Sequence, residues 1–369
     1  MKLEMPKIKS NIPKTNFPAN AARIFKNNHE SKGGVSSATV ACDFGKSKII
    51  LLQMERTGNS IRLKKFHKVS RPADPAKDSE VLRQAIEAGG FAANRVRISV
   101  KGQGVILRFI QFPQMKESEL RSALTYELDQ YIPFKAPDVI WDFHILEENI
   151  AVSKGSAMSL LLVAVKRDEL LATMQMFERA GLQIDLIDVD ALAVMNALEF
   201  FQPESFKTAV GILDIGTEIS TLSFILNGKP RFIRDISHGG QDIIKRMKRK
   251  LGLTAEQAVQ QIEVDHAPTP EAAAVLKEGL GDLVSDIKVS LNYYLDQVQS
   301  AEPVKTLFVS GGGGYQPIMV ETLKTDLGFD VAVMDILSKI EIDESIDKEF
   351  VARNQGLLPV ALGLCLRPL

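Results

Sequence analysis

The sequence lacks several features that would assign it to a special class of protein. It has two cysteines, five histidines and one tryptophan among 369 residues. Because Cys42 and Cys365 both lie in apolar segments, we expect buried thiols rather than a disulfide framework or a zinc site. No apolar run approaches the roughly 20 residues of a membrane-spanning helix. The start, MKLEMPKIKS, has no apolar core of a signal peptide. We therefore expect a cytoplasmic protein.

An excess of charge of one sign is also missing. Lys and Arg number 45, Asp and Glu number 46, and the formal net charge is −1. No overall field attracts nucleic acid, so we expect no nucleic-acid partner. The basic cluster within 245–250 has no interleaved aromatic residues, which favours a solvated helix face over a nucleic-acid surface. The chain is longer than a usual single core, so two or more domains are expected.

Two segments share one pattern, in which a short apolar strand leads into a turn and then into a second apolar strand. The first turn is Asp43-Phe44-Gly45-Lys46-Ser47, and the second is Asp214-Ile215-Gly216-Thr217. Glycine lets the backbone approach a ligand, backbone N–H and hydroxyl groups hold phosphate oxygens, and a carboxylate holds a metal. One such turn alone is equally a plain hairpin. A third loop, Leu307 to Gly314, runs from a strand into four glycines, and the ordered trio predicts a phosphate site.

This trio resembles the actin-like ATPase (ribonuclease H-like) fold of sugar kinases, heat-shock chaperones and the cytoskeletal protein FtsA. The resemblance implies an α/β fold in which two domains clasp ATP and Mg²⁺, with Asp43 and Asp214 holding the metal through water. Lys46 departs from the small residue that is usual in the first loop. By resemblance, the expected nucleotide-binding residues are Asp43, Phe44, Gly45, Lys46, Ser47, Asp214, Gly216, Thr217, Gly239, Gly240, Lys288, Gly311, Gly312, Gly313 and Gly314.

Strands followed by helices, twice over, predict a compact α+β module between residues 95 and 181. Its phrases QFPQMKESEL, YELDQYIPF and WDFHIL, with the closing VALGLCLR, resemble the PilM family of type IV pilus assembly proteins. The resemblance covers the chain from about residue 35 to the end. It implies an ATP-binding component of the inner-membrane platform that functions in twitching motility and reaches the membrane only through partners. Those partners would be the N-terminal cytoplasmic peptide of a PilN-like membrane protein, other platform proteins and motor ATPases.

The helix end Tyr131-Ile132-Pro133-Phe134 is unusually apolar. These side chains either fix the module to its parent domain or form the wall of a groove for an extended peptide. The resemblance places the PilN peptide against this module. Asp188 and Asp190 lie at a later strand end that faces the expected phosphates. The actin-like resemblance implies that an acid here orients an attacking water, with Asp188 as the candidate, whereas the alternative for Asp190 is a helix cap. With one modest candidate base, we expect slow hydrolysis at most.

The expected domain plan has a basic, disordered extension at 1–34 and a first domain from 35–94 and 182–203 around the 95–181 insert. Residues 204–369 form the second domain, with 246–304 peripheral and a C-terminal helix that returns to the hinge. We expect Gly279 and Gly281 to break or bend a long helix. Two other functions stay open: a filament-forming, FtsA-like ATPase, and a small-molecule kinase, for which no sugar-binding insert is evident.

Overall fold

The computed structural model describes residues 39–57, 60–92, 94–152, 155–264, 268–298, 301–312 and 316–367. The predicted extension at 1–34 and the predicted ligands Gly313 and Gly314 lie outside these residues. The strands are β1 (Thr39–Phe44), β2 (Lys48–Thr57), β3 (Ser60–Ser70), β4 (Arg95–Val100), β5 (Val105–Pro113), β6 (Val139–Val152), β7 (Gly155–Lys166), β8 (Gln183–Val189), β9 (Val210–Ile215), β10 (Ser220–Leu226), β11 (Lys229–Ile236), β12 (Thr306–Gly311), β13 (Asp330–Val333) and β14 (Glu341–Ile342). The helices are α1 (Asp78–Ala88), α2 (Glu117–Tyr131), α3 (Arg167–Arg179), α4 (Asp190–Phe201), α5 (Pro203–Phe206), α6 (Gly240–Leu251), α7 (Ala255–Val259), α8 (Pro270–Gln297), α9 (Pro317–Leu327), α10 (Lys348–Arg353) and α11 (Leu358–Leu366).

The first domain is organised around a six-stranded sheet in the order β14-β3-β2-β1-β4-β8. The first three strands, β1 to β3, pair with each other in antiparallel fashion. Strand β4 then lies parallel to β1, and β8 lies parallel to β4. Val40, Ala41 and Cys42 are fully buried in β1, because both faces of this central strand are covered. The parallel arrangement brings the carboxyl ends of β1, β4 and β8 to one edge of the sheet.

The second domain repeats this plan with a five-stranded sheet in the order β11-β10-β9-β12-β13. Again three antiparallel strands come first, and β12 lies parallel to β9 and β13. Asp214 of β9 is in register with Ser310 of β12. Helices α6, α7, α8 and α9 share one apolar core with this sheet.

The insert has its own three-stranded sheet, β5-β7-β6, with α2 packed on one face. Leu120, Leu124 and Leu128 of α2 are fully buried there, one helical turn apart. The opposite face, which includes Leu161 and Val163 of β7, belongs to the core of the first domain.

The bounds of the insert differ from the predicted 95–181 at both ends. Strand β4 pairs with β1 and β8 in the first-domain sheet. At the other end, Leu170 and Phe177 of α3 are buried in the first-domain core. The separate insert is therefore formed by β5, α2, β6 and β7.

The chain also returns to the first domain earlier than predicted. Strand β14 pairs with β3, and Ile336 and Val351 lie in the first-domain core. Helix α11 packs against α4, where a Cβ on Gly363 would stand 1.7 Å from the Ala193 carbonyl oxygen. Arg97 of β4 donates hydrogen bonds to carbonyl oxygens at the end of α11. The sequence after β13 therefore completes the first domain rather than the second.

Helix α8 is continuous through Gly279 and Gly281, so the predicted break is wrong. A Cβ on Gly279 would lie 3.2 Å from the Ile243 side chain, so this glycine allows α6 to approach closely. Two basic residues of α6 are paired with acids of α8, Arg246 with Glu278 and Asp282 and Lys250 with Glu278. Among the helices in the described ranges, none has the length and apolar character to cross a membrane.

Candidate functional site

The carboxyl ends of the parallel strands from both sheets meet across one cleft between the domains. Asp43 lies at the end of β1, Lys101 directly follows β4, and Asp190 directly follows β8. From the second domain, Asp214 and Ser310 occupy the corresponding ends of β9 and β12. Crevices at such strand ends are where open α/β sheets bind ligands. The cavity here has a volume of about 400 Å³.

The first predicted phosphate loop is a tight turn between β1 and β2. The Gly45 N–H donates to the Lys48 carbonyl at 2.9 Å, and a Cβ on Gly45 would stand 2.9 Å from that oxygen. Arg71 donates a hydrogen bond to the Gly45 carbonyl at 3.1 Å and forms an ion pair with buried Asp78. These two contacts attach the turn to the start of α1. The Phe44 ring packs 5.8 Å from Phe177, so its side chain belongs to the core rather than the cavity. The turn is therefore rigid and presents Asp43, Lys46 and Ser47 to the cleft.

The second predicted phosphate loop is also a tight turn, between β9 and β10. The Gly216 N–H donates to the Ile219 carbonyl at 3.1 Å. The first turn of α6 is attached to this loop, since the Gly240 and Gln241 N–H groups donate to the Gly216 and Thr217 carbonyls at 3.0 and 2.8 Å. Gly239 makes the approach possible, because its Cβ would stand 2.6 Å from the Thr217 carbonyl oxygen. Loop and helix N-terminus thus form one unit.

Side chains from the two loops touch across the cleft. The hydroxyls of Ser47 and Thr217 are 2.8 Å apart and share a hydrogen bond. At the mouth, the Lys46 ammonium lies 3.6 Å from a Glu218 carboxylate oxygen. The predicted pairing of the two loops is thus a direct contact between the domains.

The floor of the cleft holds a cluster of three aspartates around one lysine. Burial raises the pKa of Asp43 to about 6, with Lys101 lowering it and Asp190 and Asp214 adding to the rise. Burial likewise raises the pKa of Asp214, although Lys101 and a 2.6 Å hydrogen bond from Ser310 oppose this. Burial also lowers the pKa of Lys101, but Asp190, Asp43 and Asp214 outweigh it and raise the value. The lysine therefore stays charged and partly neutralises the carboxylates.

The rest of the cavity wall is largely apolar on the second-domain side. It is lined by Ile243 and Ile244 of α6, by Val259 of α7 and Ile262 shortly after it, and by Met319 of α9. Asp235 also lines the cavity, where partial desolvation raises its pKa, and it accepts a hydrogen bond from Thr221 at 2.8 Å. The cavity thus has one charged end and one apolar end, which suits a ligand with the same division.

Most of the predicted nucleotide and catalytic residues meet in this cavity, and four of those that the structure describes do not line it. The lining residues are Asp43, Gly45, Lys46, Ser47, Asp214, Gly216, Thr217, Gly240, Gly311 and Gly312. Phe44 and Gly239 belong to the loop segments but do not line the cavity, and Lys288 is an exposed residue of α8 outside the lining. The fourth, Asp188, was the predicted base. It is fully buried in an ion pair with Arg367 and has a structural position.

Lys101 and Asp235 are among the lining residues that the sequence analysis missed. Both stand next to a turn or strand end that faces the cleft. The available signal for Lys101 was its place directly after a buried strand, but that strand was assigned to the insert. Asp190, for which the sequence leaves open a place at the phosphates or a helix cap, has its carboxylate 2.5 Å from the Lys101 ammonium.

A divalent metal at this cleft would need ligands beyond the protein. Within the residues that the structure describes, no group of three or more His, Cys, Asp or Glu side chains is arranged to hold a metal. Mg²⁺ typically takes one or two carboxylates, waters and the phosphates of its nucleotide. Asp43 and Asp214, from opposite domains, fit this mode of binding.

The predicted partner segment after α2 is only partly accessible. Ile132 is buried in the insert core, and the half-buried Phe134 ring lies 5.0 Å from the Lys166 ammonium. Pro133 is exposed, and Tyr131 donates a hydrogen bond to Glu127. Ile132 thus has a packing role. On the solvent face of α2, Tyr126 is 89% exposed, the most accessible large apolar side chain described.

Comparisons with known proteins agree with this architecture. The structure superimposes on a chain of a "PilM-PilN type IV pilus biogenesis complex" with a TM-score of 0.78 and 23% identity, covering 90% of this chain and 98% of that one. It also resembles the ethanolamine utilization protein EutJ from Carboxydothermus hydrogenoformans, with a TM-score of 0.54, 14% identity and coverage of 89% and 88%. The fold is thus the two-domain, actin-like α/β fold. A family model described as type IV pilus assembly protein PilM matches residues 41–369. The chain therefore belongs to the PilM family of type IV pilus assembly proteins.

Proposed function

We propose that this protein binds ATP with Mg²⁺ between its two domains and serves the inner-membrane platform of type IV pilus assembly as a nucleotide-dependent component. The observation that carries the proposal is the direct meeting of two DxG loops, whose Ser47 and Thr217 hydroxyls lie 2.8 Å apart. Each loop offers backbone N–H groups, a hydroxyl and a carboxylate, the groups that bind phosphate and its metal. Family membership supports the assembly role.

The two ends of the cavity match the two ends of ATP. The N-terminus of α6, at Gly240, lines the charged end, and the positive end of its helix dipole favours phosphate even though the Gly240 and Gln241 N–H groups are bonded to the second loop. The apolar end, with Ile243, Ile244 and Met319, suits the face of a purine ring. Asp43 and Asp214 would hold Mg²⁺, which supplies charge neutralisation for the phosphates.

Hydrolysis, in this proposal, is slow. Asp188 does not serve as the base, because its carboxylate is buried in an ion pair with Arg367. Asp190 is committed to Lys101 and is itself only 3% exposed. Neither acid is available to orient water, so turnover is expected far below the ~10 s⁻¹ of a typical metabolic enzyme. This expectation, together with the family assignment, argues against a small-molecule kinase. The filament-forming alternative has no specific contact in its favour.

The proposed partner is a PilN-like membrane protein, bound through its N-terminal cytoplasmic peptide. A chain of similar fold, matched over 98% of its length, forms a complex that is described as PilM-PilN. We propose the insert as the docking element, with Tyr126, Pro133 and the accessible parts of Tyr131 and Phe134 at its surface. Extended peptides use such aromatic and proline surfaces. Through this partner the protein would work in the cytoplasm at the inner membrane, near other platform proteins and motor ATPases.

The nucleotide proposal is tested with Asp214→Ala. Removing this carboxylate deletes one of two protein groups for Mg²⁺, so ATP affinity in magnesium should fall about ten-fold or more, the cost of a lost interaction with a charged group. Affinity in EDTA should stay equal or rise, because the variant removes a negative charge from the floor of the cleft. Calorimetric titration of ATP in both buffers measures the difference.

The control for this titration is Asp330→Ala, which removes an exposed carboxylate from the ion pair with Lys324 on the surface of the second domain. It should bind ATP as the wild type does. If the Asp214→Ala variant keeps wild-type affinity in magnesium, the assignment of the metal and of the cleft is wrong.

A further inference from the structure

Lys101 is a partly exposed charged residue at the centre of the sheet edge that faces the cleft. It directly follows β4, the strand between β1 and β8, and so projects from the middle of the edge at which all three strands end. Its ammonium lies 2.5 Å from the Asp190 carboxylate and 3.5 Å from that of Asp43. Asp190 is buried and Asp43 is half-buried, with side chains 4% and 15% exposed, whereas the lysine side chain is 37% exposed and lines the cavity.

The charges of the cluster are not balanced. Asp43, Asp190 and Asp214 carry three negative charges when ionised, and Lys101 supplies one positive charge. Without the lysine, the floor of the cleft would repel an anion such as a nucleotide phosphate chain. With the lysine, an excess of two negative charges remains, which one divalent cation would balance. The ammonium therefore has an electrostatic function toward whatever binds in the cleft.

A purely structural ion pair would look different. The buried pair of Asp188 and Arg367, a short distance along the same sheet, has both side chains less than 5% exposed and lies outside the cavity lining. Lys101 instead keeps part of its ammonium end accessible from the cavity. A lysine ammonium is a compact point charge with several donors, and such a group commonly binds phosphate.

Building on the proposed function, we propose that Lys101 binds the phosphate chain of the nucleotide, and that Asp190 is the positioning residue that holds its ammonium at the floor of the cleft. Lys101 contributes in two opposite ways. It attracts the polyanionic nucleotide, and by the same charge it weakens the binding of a free divalent cation to Asp43 and Asp214. Removing the lysine charge should therefore separate the two affinities.

The test is Lys101→Met in the full-length protein, with two ligands titrated by calorimetry. ATP is titrated in EDTA, so that no metal contributes, and Mn²⁺ is titrated without nucleotide. ATP affinity should fall about ten-fold or more, since a charged hydrogen bond is lost. Mn²⁺ affinity should stay equal or rise, because the carboxylates lose their internal counter-ion. Lys101→Arg, which keeps the charge, should retain part of the ATP affinity.

The matched control is Lys324→Met, the same substitution in the exposed pair with Asp330. It should leave both affinities unchanged. Circular dichroism checks that each variant folds. If Lys101→Met does not fold, the double variant Lys101→Met/Asp190→Asn removes the buried pair together and avoids an unpaired buried charge. This double variant should lose ATP affinity as the single variant would, with Mn²⁺ affinity close to that of the wild type.

The outcomes separate the two proposals. ATP affinity within about two-fold of the wild type in the Lys101→Met variant overturns the role of Lys101 and leaves the nucleotide site intact, since a two-fold change is below the effect of one charged hydrogen bond. Parallel loss of ATP and Mn²⁺ affinity shows a structural role and also overturns it. A wild-type protein that binds no ATP overturns the proposed function itself, and the role of Lys101 with it.

Discussion

Two aspartates that are separated by one residue have very different surroundings in this protein. Asp188 and Asp190 would share a face if β8 continued, because side chains two apart point the same way in a strand. The strand instead ends at Val189, and α4 begins at Asp190. Asp188 then points into the protein toward Arg367, and Asp190 toward Lys101 at the cleft. A single change of backbone conformation thus decides which acid belongs to the site.

Asp188→Asn is expected to lower stability without altering the nucleotide site. The substitution leaves the buried guanidinium of Arg367 without its carboxylate, and breaking one side of a buried ion pair costs about 3–5 kcal/mol. The midpoint of urea-induced unfolding should fall accordingly. ATP affinity, measured by calorimetry at a temperature where the variant is folded, should match that of the wild type.

Asp335→Asn is a suitable control, because this aspartate is exposed and only bonds to nearby Ser338. It should move the unfolding midpoint little. A variant at Asp188 with wild-type stability and impaired ATP binding would return that residue to the site and contradict the structural assignment.

At the scale of elements, the short-range features were predictable from the sequence. Helix α1 spans Asp78–Ala88 and ends at Gly89, and Thr254 caps α7 with Gln257 in a capping box, both of which are local sequence signals. The two DxG turns were predictable because glycine, acid and hydroxyl follow an apolar strand in each. These signals lie within a few residues of the structure they encode.

Strand pairing over long separations was not predictable in the same way. Strand β4 has the apolar character of any buried strand, and nothing in its six residues says that it pairs with β1 and β8 rather than with β5. With β4 assigned to the insert, Lys101 could not be predicted as a site residue, because only a strand beside β1 places the residue after it at the cleft. The missed residue and the misplaced strand are therefore one error.

The insert is also connected to the second domain by a charged contact between edge strands. Glu147 of β6 lies where the pairing with β7 becomes irregular. It accepts a hydrogen bond from Arg231 of β11 at 2.9 Å and lies 3.6 Å from the Lys229 ammonium. Because the insert is rooted in the first domain, this contact bridges the two sides of the molecule.

Glu147→Gln is expected to weaken this bridge in a pH-dependent way. The hydrogen bond from Arg231 is the main cause that lowers the pKa of Glu147 from its ordinary 4.5. The ion pair therefore stabilises the folded protein fully above pH 4.5, and this contribution is lost as the pH falls through the lowered pKa. Since both groups are partly exposed, the loss at pH 7 should be at most about 1 kcal/mol.

Urea unfolding of wild type and variant at pH 7 and again in acid measures this change. Glu204→Gln, in a more exposed pair with Lys207, is the control and should have almost no effect. An equal difference between Glu147→Gln and wild type at both pH values would show that the loss is not that of an ion pair.

At the scale of the whole molecule, the insert and the cleft between the domains are joined by two routes. One is covalent, since β5 and β7 connect to β4 and α3 of the first domain. The other is the contact of Glu147 with Arg231 of the second domain. A ligand that changes the contact between the two DxG loops would also change the relation between insert and second domain. This arrangement allows coupling between nucleotide and partner, which by linkage is reciprocal.

We therefore expect Mg-ATP to change the affinity of a PilN-like N-terminal peptide by about 5- to 150-fold, the usual range of coupling between two sites. The reason is that closure around the nucleotide alters the surface that the insert shares with the rest of the protein. Fluorescence anisotropy of a labelled peptide, titrated with and without Mg-ATP, measures the factor. The peptide should change ATP affinity by the same factor, which calorimetry measures independently.

Three variants locate the effect. Tyr126→Ala and Phe134→Ala should each weaken peptide binding, whereas Ile132 is left unchanged because it is buried in the insert core and its truncation would damage the fold. Asp214→Ala should bind the peptide yet lose the response to Mg-ATP, because its defect lies at the metal. Equal peptide affinity with and without Mg-ATP in the wild type would separate the two sites. Normal peptide binding by the Tyr126 and Phe134 variants would place the groove on another surface, and the coupling would then have to run through that surface instead.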